Sequence, residues 1–195
     1  IEVCVVLLNG KADAKTNEQQ WDNIGDRESV FDQKAPFAVY ASSNDCISMT
    51  ALTDIELAVC QAPAKGNYPA RLIRPEDCQF ESRGVGSNRR HVCNVLFSNL
   101  EADSLLVCEV ITPSGNWSSY PPHKHDQDAA PAETQLEETY YHRIDPPQGF
   151  VFQRVYTDDR SLDETMAVED GDVVMVPEGY HPVGVPHGYQ SYYLN

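Results

Sequence analysis

The chain has 195 residues and a mass of 21.8 kDa, enough for one large domain or two small ones with a real core. Thirty Asp and Glu against fourteen Lys and Arg give a net charge of −16, which excludes nucleic acid and an anionic membrane surface as partners by repulsion. No apolar run approaches the ~20 residues that cross a bilayer, and no basic-then-apolar leader opens the chain, so a soluble, cytoplasmic protein is expected.

In chain order, short β-branched and aromatic runs alternate with Gly, Pro, Asn and Asp. The first is EVCVVLLNG from Glu2, already the middle of a strand in a chain that starts at Ile1 without Met, which points to a piece of a longer protein. FAVYA and IELAVCQA follow. Residues 61–90 are poor in apolar runs and rich in Pro, Gly and Arg, and read as a connector. Strand-like HVCNVLF, SLLVCEVITP, ETYYHRI, GFVFQRVYT, GDVVMVP and SYYLN complete the chain. Only SLDETMAVED, from Ser161, reads as a brief helical turn or a polar hairpin excursion. The fold class is all-β, an antiparallel sandwich or barrel, in two parts divided near residue 90.

The six cysteines are widely spaced with no C-x-x-C pair, and are expected to be buried free thiols. Asn116-Trp117-Ser118 matches a glycosylation sequon by chance.

Chemistry concentrates in PPHKHDQDAAPAETQLEETYYHR, from Pro121. On a strand, residues i and i+2 share a face, so an extended segment aims His123 and His125 at one point, and Pro121 and Pro122 favour that extended entry. In the next strand Glu138, Tyr140 and His142 share one face, while Glu137, Thr139 and Tyr141 share the other. A strand from Gly171 to Val176 then ends in Pro177-Glu178-Gly179 and delivers His181. Three neutral imidazoles and one carboxylate suit Zn, Mn, Fe or Ni with a position left for water or substrate. Each alone has a plainer reading: a His-x-His in a solvated loop, a surface acid, a turn histidine.

These residues resemble the two-part motif of the cupin barrel: Gly115, His123-x-His125, a Glu opening a Tyr-Tyr strand, then Gly171 and Pro177-x-Gly179 with His181. Longer stretches, among them GNWSSYPPHKHD, EETYYHR, NIGDRESVF, LTDIELAVC and ARLIRPED, extend the resemblance over nearly the whole chain. They are similar to the uronate ketol-isomerase family of two-barrel cupins, the family of the 5-deoxy-glucuronate isomerases of bacterial inositol catabolism. The resemblance implies a bicupin: an incomplete, degenerate N-terminal barrel with the connector over residues 1–90, and a metal-binding cupin over 91–195. It implies a divalent transition metal, Zn, Mn or Fe, on His123, His125, Glu138 and His181. Two features depart from the family pattern: the inserted DQDAAPAETQLE, and Glu137 standing beside Glu138.

The implied reaction is the aldose–ketose interconversion of a uronate-type sugar acid, the small-molecule partner, by a proton or a hydride shift; a homo-oligomer is compatible with it. Candidates to move the proton are His142, Glu137 and Tyr140. Candidates to hold the substrate carboxylate are Arg143, Arg154 and Lys124, of which Arg154 faces the opposite side from Gln153. Two other classes share the ligand set or the fold: an Fe(II) dioxygenase, and a sugar-binding cupin without catalysis.

Overall fold

Apart from two single 3-10 turns, Pro75–Asp77 and Gly86–Asn88, the computed structural model, which describes residues 1–195, contains only strands, loops and turns. The protein is all-β, in keeping with its β-branched and aromatic runs. It forms two compact units, one of residues 1–80 with 93–108, the other of residues 81–92 with 109–195.

In the first unit lie β1 (Glu2–Asn9), β2 (Ala12–Lys15), β3 (Gln20–Ile24), β4 (Ala38–Ala41), β5 (Ser48–Ala51), β6 (Glu56–Ala62) and β7 (Arg71–Ile73). They make two antiparallel sheets, ordered β6-β1-β4-β7 and β3-β2-β5. Between them Leu7, Ala12, Ala14, Ile24, Val39 and Leu72 are buried. Burial of a Leu or Ile side chain of this kind contributes about 1.5–3 kcal/mol.

The chain continues through β8 (Gln79–Arg83), β9 (Arg90–Leu96) and β10 (Val107–Thr112). It then forms β11 (Trp117–Ser118), β12 (Glu138–Asp145), β13 (Phe150–Tyr156), β14 (Asp163–Glu169), β15 (Val173–Val176), β16 (Val183–Gly184) and β17 (Gln190–Leu194). In the second unit β12 pairs antiparallel with both β15 and β17, and β17 pairs with β10. A second sheet runs β11-β16-β13-β14. Val151, Val155, Val168, Val174, Val176 and Val183 are buried there.

Two expectations are corrected. SLDETMAVED is not a helical turn; its other reading, the polar hairpin, holds, because it supplies β14, which pairs antiparallel with β13 over seven residues from Phe150↔Glu169 to Tyr156↔Asp163. The ladder hydrogen bonds override its weak local pattern, and its side chains are mostly exposed. The cysteines are all free, but only Cys4 and Cys93 are buried; Cys46 is exposed and the rest are half-buried.

Candidate metal centre

β11 leads through Ser119 to His123-Lys124-His125, which is not a regular strand. The expected strand geometry is absent, yet the two imidazoles still converge, their centroids 5.2 Å apart. The inserted segment explains how Glu138 reaches them. Glu133 Oε1 accepts hydrogen bonds from the Asp126 and Gln127 amides at 2.6 and 3.0 Å, and the Leu136 amide donates to the His125 carbonyl at 3.0 Å. The excursion thus closes on itself and returns the chain beside His125 just before β12 begins.

Along β12 the burial alternates, and Tyr140, His142 and Ile144 are buried on the face that also carries half-buried Glu138. Glu137 lies just outside the strand and is exposed. β15 ends in Pro177-Glu178-Gly179, where Gly179 has φ +88° and a Cβ would sit 2.5 Å from the Tyr156 carbonyl oxygen. Glycine is required there by backbone conformation and by space. Backbone bonds between Tyr156 and Tyr180, 2.8 and 2.9 Å, then fix His181. The Gly179 amide donates to Asp126 Oδ1 at 2.6 Å, tying this turn to the segment that carries the first two histidines.

The nitrogen ligand atoms of His123, His125 and His181 all lie within 4.8 Å of one another. Glu138 Oε1 is 3.3 Å from His125 Nε2 and 3.5 Å from His181 Nε2. Its Oε2 accepts from the Tyr140 hydroxyl and from Asn195 Nδ2, each at 2.9 Å. His181 Nδ1 donates to the Gly179 carbonyl at 2.9 Å, which leaves Nε2 with a lone pair, and that buried atom has no hydrogen-bond partner. A lone pair and a carboxylate oxygen therefore face each other, which only a cation or added protons between them make favourable. This donor set fits a metal ion, and three histidines at this spacing could hold one.

The surroundings tune these groups. Loss of water around the His123 ring, and next the charge of nearby His181, hold its pKa below the usual value, although the residue keeps an exposed edge. Burial, then Tyr193 and Glu138, push the Tyr140 phenol well up, so it stays a neutral donor; its hydroxyl also lies 3.1 Å from Ser119 Oγ. His142 is fully buried, with Nε2 donating to Gln153 Oε1 at 2.9 Å, and burial pushes its pKa down to about 4.

The three cations expected at a substrate carboxylate each face an acid. Lys124 Nζ lies 2.5 Å from Asp158 and 3.4 Å from Asp126. Arg143 Nε donates to Asp170 at 2.9 Å, and Arg154 forks onto Asp163 with two bonds of 2.8 Å. It is Gln153 that faces inward from β13. Asp126, Ser119 and Asn195 escape a reading of the sequence. Only Asp126, directly after the His-x-His, gives any hint.

The KduI/IolB family model matches residues 1–195. The chain belongs to the KduI/IolB family. It is 60% identical over 194 residues to a 5-deoxy-glucuronate isomerase of Geobacillus thermodenitrificans, covering 100% of this chain and 71% of that protein. An IolB-like protein from Salmonella typhimurium superposes with a TM-score of 0.96 at 53% identity, over 99% of this chain and 73% of the other. Bacillus subtilis oxalate decarboxylase shares the fold at a TM-score of 0.61 and 13% identity, over 99% of this chain and 62% of that one. No helix of this KduI/IolB member is long and apolar enough to cross a membrane.

Proposed function

We propose that this KduI/IolB chain is a metal-dependent aldose–ketose isomerase that converts 5-deoxy-glucuronate to 5-dehydro-2-deoxygluconate in the cytoplasm. The relative named for that substrate, 60% identical over the whole chain, supports the reaction. The observation that carries the site is the buried, unpartnered His181 Nε2 facing Glu138 Oε1 at 3.5 Å. The fold is read as a bicupin with an incomplete first barrel, residues 91–195 forming the metal-binding cupin. His123, His125, Glu138 and His181 are the ligands, and their nitrogen and oxygen donors suit Zn, Mn or Fe.

A divalent ion on these residues would draw electron density from the substrate carbonyl and the neighbouring hydroxyl, acidifying the C–H bond between them. Tyr140 keeps the Glu138 carboxylate turned toward the histidines through its 2.9 Å bond to Oε2. Moving the proton between the two carbons calls for an unprotonated acceptor, and the inward face of β12 offers one. His142 is neutral near pH 7, and its Nδ1 is buried without a partner, so the proton transfer is assigned to it. Glu137, exposed outside the strand, is left without a part in this scheme.

The test combines metal analysis with NMR of 5-deoxy-glucuronate turnover in deuterated water. The protein as purified should carry about one metal per chain, and His181→Ala should lose it together with turnover. Wild-type product should gain solvent deuterium at the carbon that receives the proton, and His142→Gln should keep the metal while kcat falls ~10²–10⁴-fold. Turnover with no deuterium gained would point to a hydride shift or to a proton shielded from solvent, and full kcat in His142→Gln would then remove His142 from the chemistry. Full turnover by a metal-free protein would overturn the reading as a whole.

A further inference from the structure

A uronate substrate brings a carboxylate to a protein of net charge −16, so a cation near the metal centre must receive it. Lys124, Arg143 and Arg154 already face Asp side chains. Arg90, at the start of β9, does not. Its Nη1 donates to three neutral oxygens, the Asn88 carbonyl, Asn88 Oδ1 and the Tyr120 carbonyl, each at 3.1 Å. No carboxylate lies against it, and its Nε and Nη2 edge makes no hydrogen bond.

The loop before Arg90 is shaped around this guanidinium. Gly84 has φ +77°, and a Cβ there would lie 1.9 Å from the Asn88 carbonyl oxygen and 3.0 Å from Arg90 Nη1. Only glycine lets the loop close so that the Asn88 oxygens reach the arginine. The third acceptor places Arg90 beside the metal segment. Tyr120 stands three residues before His123, a span of at most about 11 Å of extended chain. The path is shorter than that limit, because His123 Nδ1 lies 3.4 Å from the Pro121 carbonyl, the one next to the Tyr120 carbonyl.

An open-chain six-carbon acid is long enough to reach across a gap of up to that limit. Its carbon–carbon bonds are ~1.5 Å each, a metal–oxygen bond at one end adds ~2 Å, and a charge-assisted hydrogen bond at the other adds ~2.8 Å.

We infer that Arg90 is the residue that binds the substrate carboxylate and gives the site its preference for a sugar acid over a neutral sugar. The inference rests on the isomerase reading above. A guanidinium held by uncharged oxygens keeps its full charge for the ligand, and its planar fork meets a carboxylate with two parallel bonds. Its bonds to the loop and to Tyr120 fix its orientation before substrate arrives.

The experiment compares kcat/KM for 5-deoxy-glucuronate and for 5-deoxyglucose, which has a CH2OH in place of the carboxylate. Wild type, Arg90→Ala, Arg90→Gln and Arg89→Ala are measured, with metal content and thermal midpoint determined for each. Arg90→Gln keeps a donor for the Tyr120 carbonyl without the charge, and covers the case in which Arg90→Ala does not fold. Arg89, whose side chain is exposed and whose amide donates to the Gly86 carbonyl, serves as the control.

The expected result is a fall of ~100-fold in kcat/KM for the acid in both Arg90 variants, little change for the neutral sugar, and no change in Arg89→Ala. Equal losses on both sugars would show that Arg90 only holds the Tyr120 segment, and no loss would show that it does nothing; either overturns the inference while the isomerase reading stands. Failure of wild type to isomerise the acid overturns both.

Discussion

His142 has no exposed surface, and its ring stacks on Tyr140 at 6.1 Å and lies 5.6 Å from Tyr193. Burial holds its pKa down to about 4, against ~6.5 in an unfolded chain. Between these two values the unfolded chain binds a proton that the folded chain refuses. Stability is therefore constant above about pH 6.5 with respect to this group, and falls as the pH drops through the window, by about 3 kcal/mol in total. Urea unfolding of wild type and His142→Gln at pH 7.5, 5.5 and 4.5 checks this: the difference between them should change in favour of the variant on acidification. Two curves that stay parallel would exclude it. The same burial could not be read from residue type alone. Alternation put His142 on the inward face with Glu138 and Tyr140, but the bond to Gln153 depends on β13, eleven residues on.

β12 and the turn after β15 position the centre, and both were largely legible. Alternation in ETYYHRI gave the inward stripe, and Pro-Glu-Gly gave the turn before His181. Gly179 and Gly171 allow a comparison of two glycines with nearly the same backbone, φ +88° and +89°. An added Cβ at Gly171 meets nothing within 4 Å, whereas at Gly179 it meets the Tyr156 carbonyl oxygen at 2.5 Å. Gly171→Ala should cost only the positive φ, about 1 kcal/mol, and leave metal binding unchanged. Gly179→Ala should cost about 2–3 kcal/mol and weaken metal binding at least tenfold, because the turn that carries His181 must shift. Thermal unfolding and metal titration of the two variants decide it. Less legible were the elements fixed by distant partners. The local pattern of SLDETMAVED left a helical turn and a hairpin both open, because its conformation comes from the ladder with β13. The pairing of Arg154 with Asp163 is likewise a diagonal contact across that ladder, invisible before the register is known.

At the scale of the whole molecule, residues 93–108 belong with residues 1–80 in the first unit. A single buried carboxylate helps hold that segment: Glu2 accepts from the Asp103 and Ser104 amides at 2.9 and 2.6 Å, across 101 and 102 residues of chain, and from the Tyr40 hydroxyl at 2.6 Å. Metal binding should be felt unevenly over the chain. An ion at a thousand times its Kd stabilises the state that binds it by about 4 kcal/mol. Hydrogen exchange with and without a chelator should show protection gained with metal in β12 and β15, and little change in β2, β3 and β5; a uniform gain would count against a centre confined to the second unit. The bond from the Gly179 amide to Asp126 also bears on how such an ion is captured. Asp126 and Gly179 are 53 residues apart, and closing a flexible loop of that length costs entropy that grows with the logarithm of its size. The Asp126 carboxylate meets that cost during folding, so an arriving ion finds its ligands already gathered and does not have to draw the ends of the loop together.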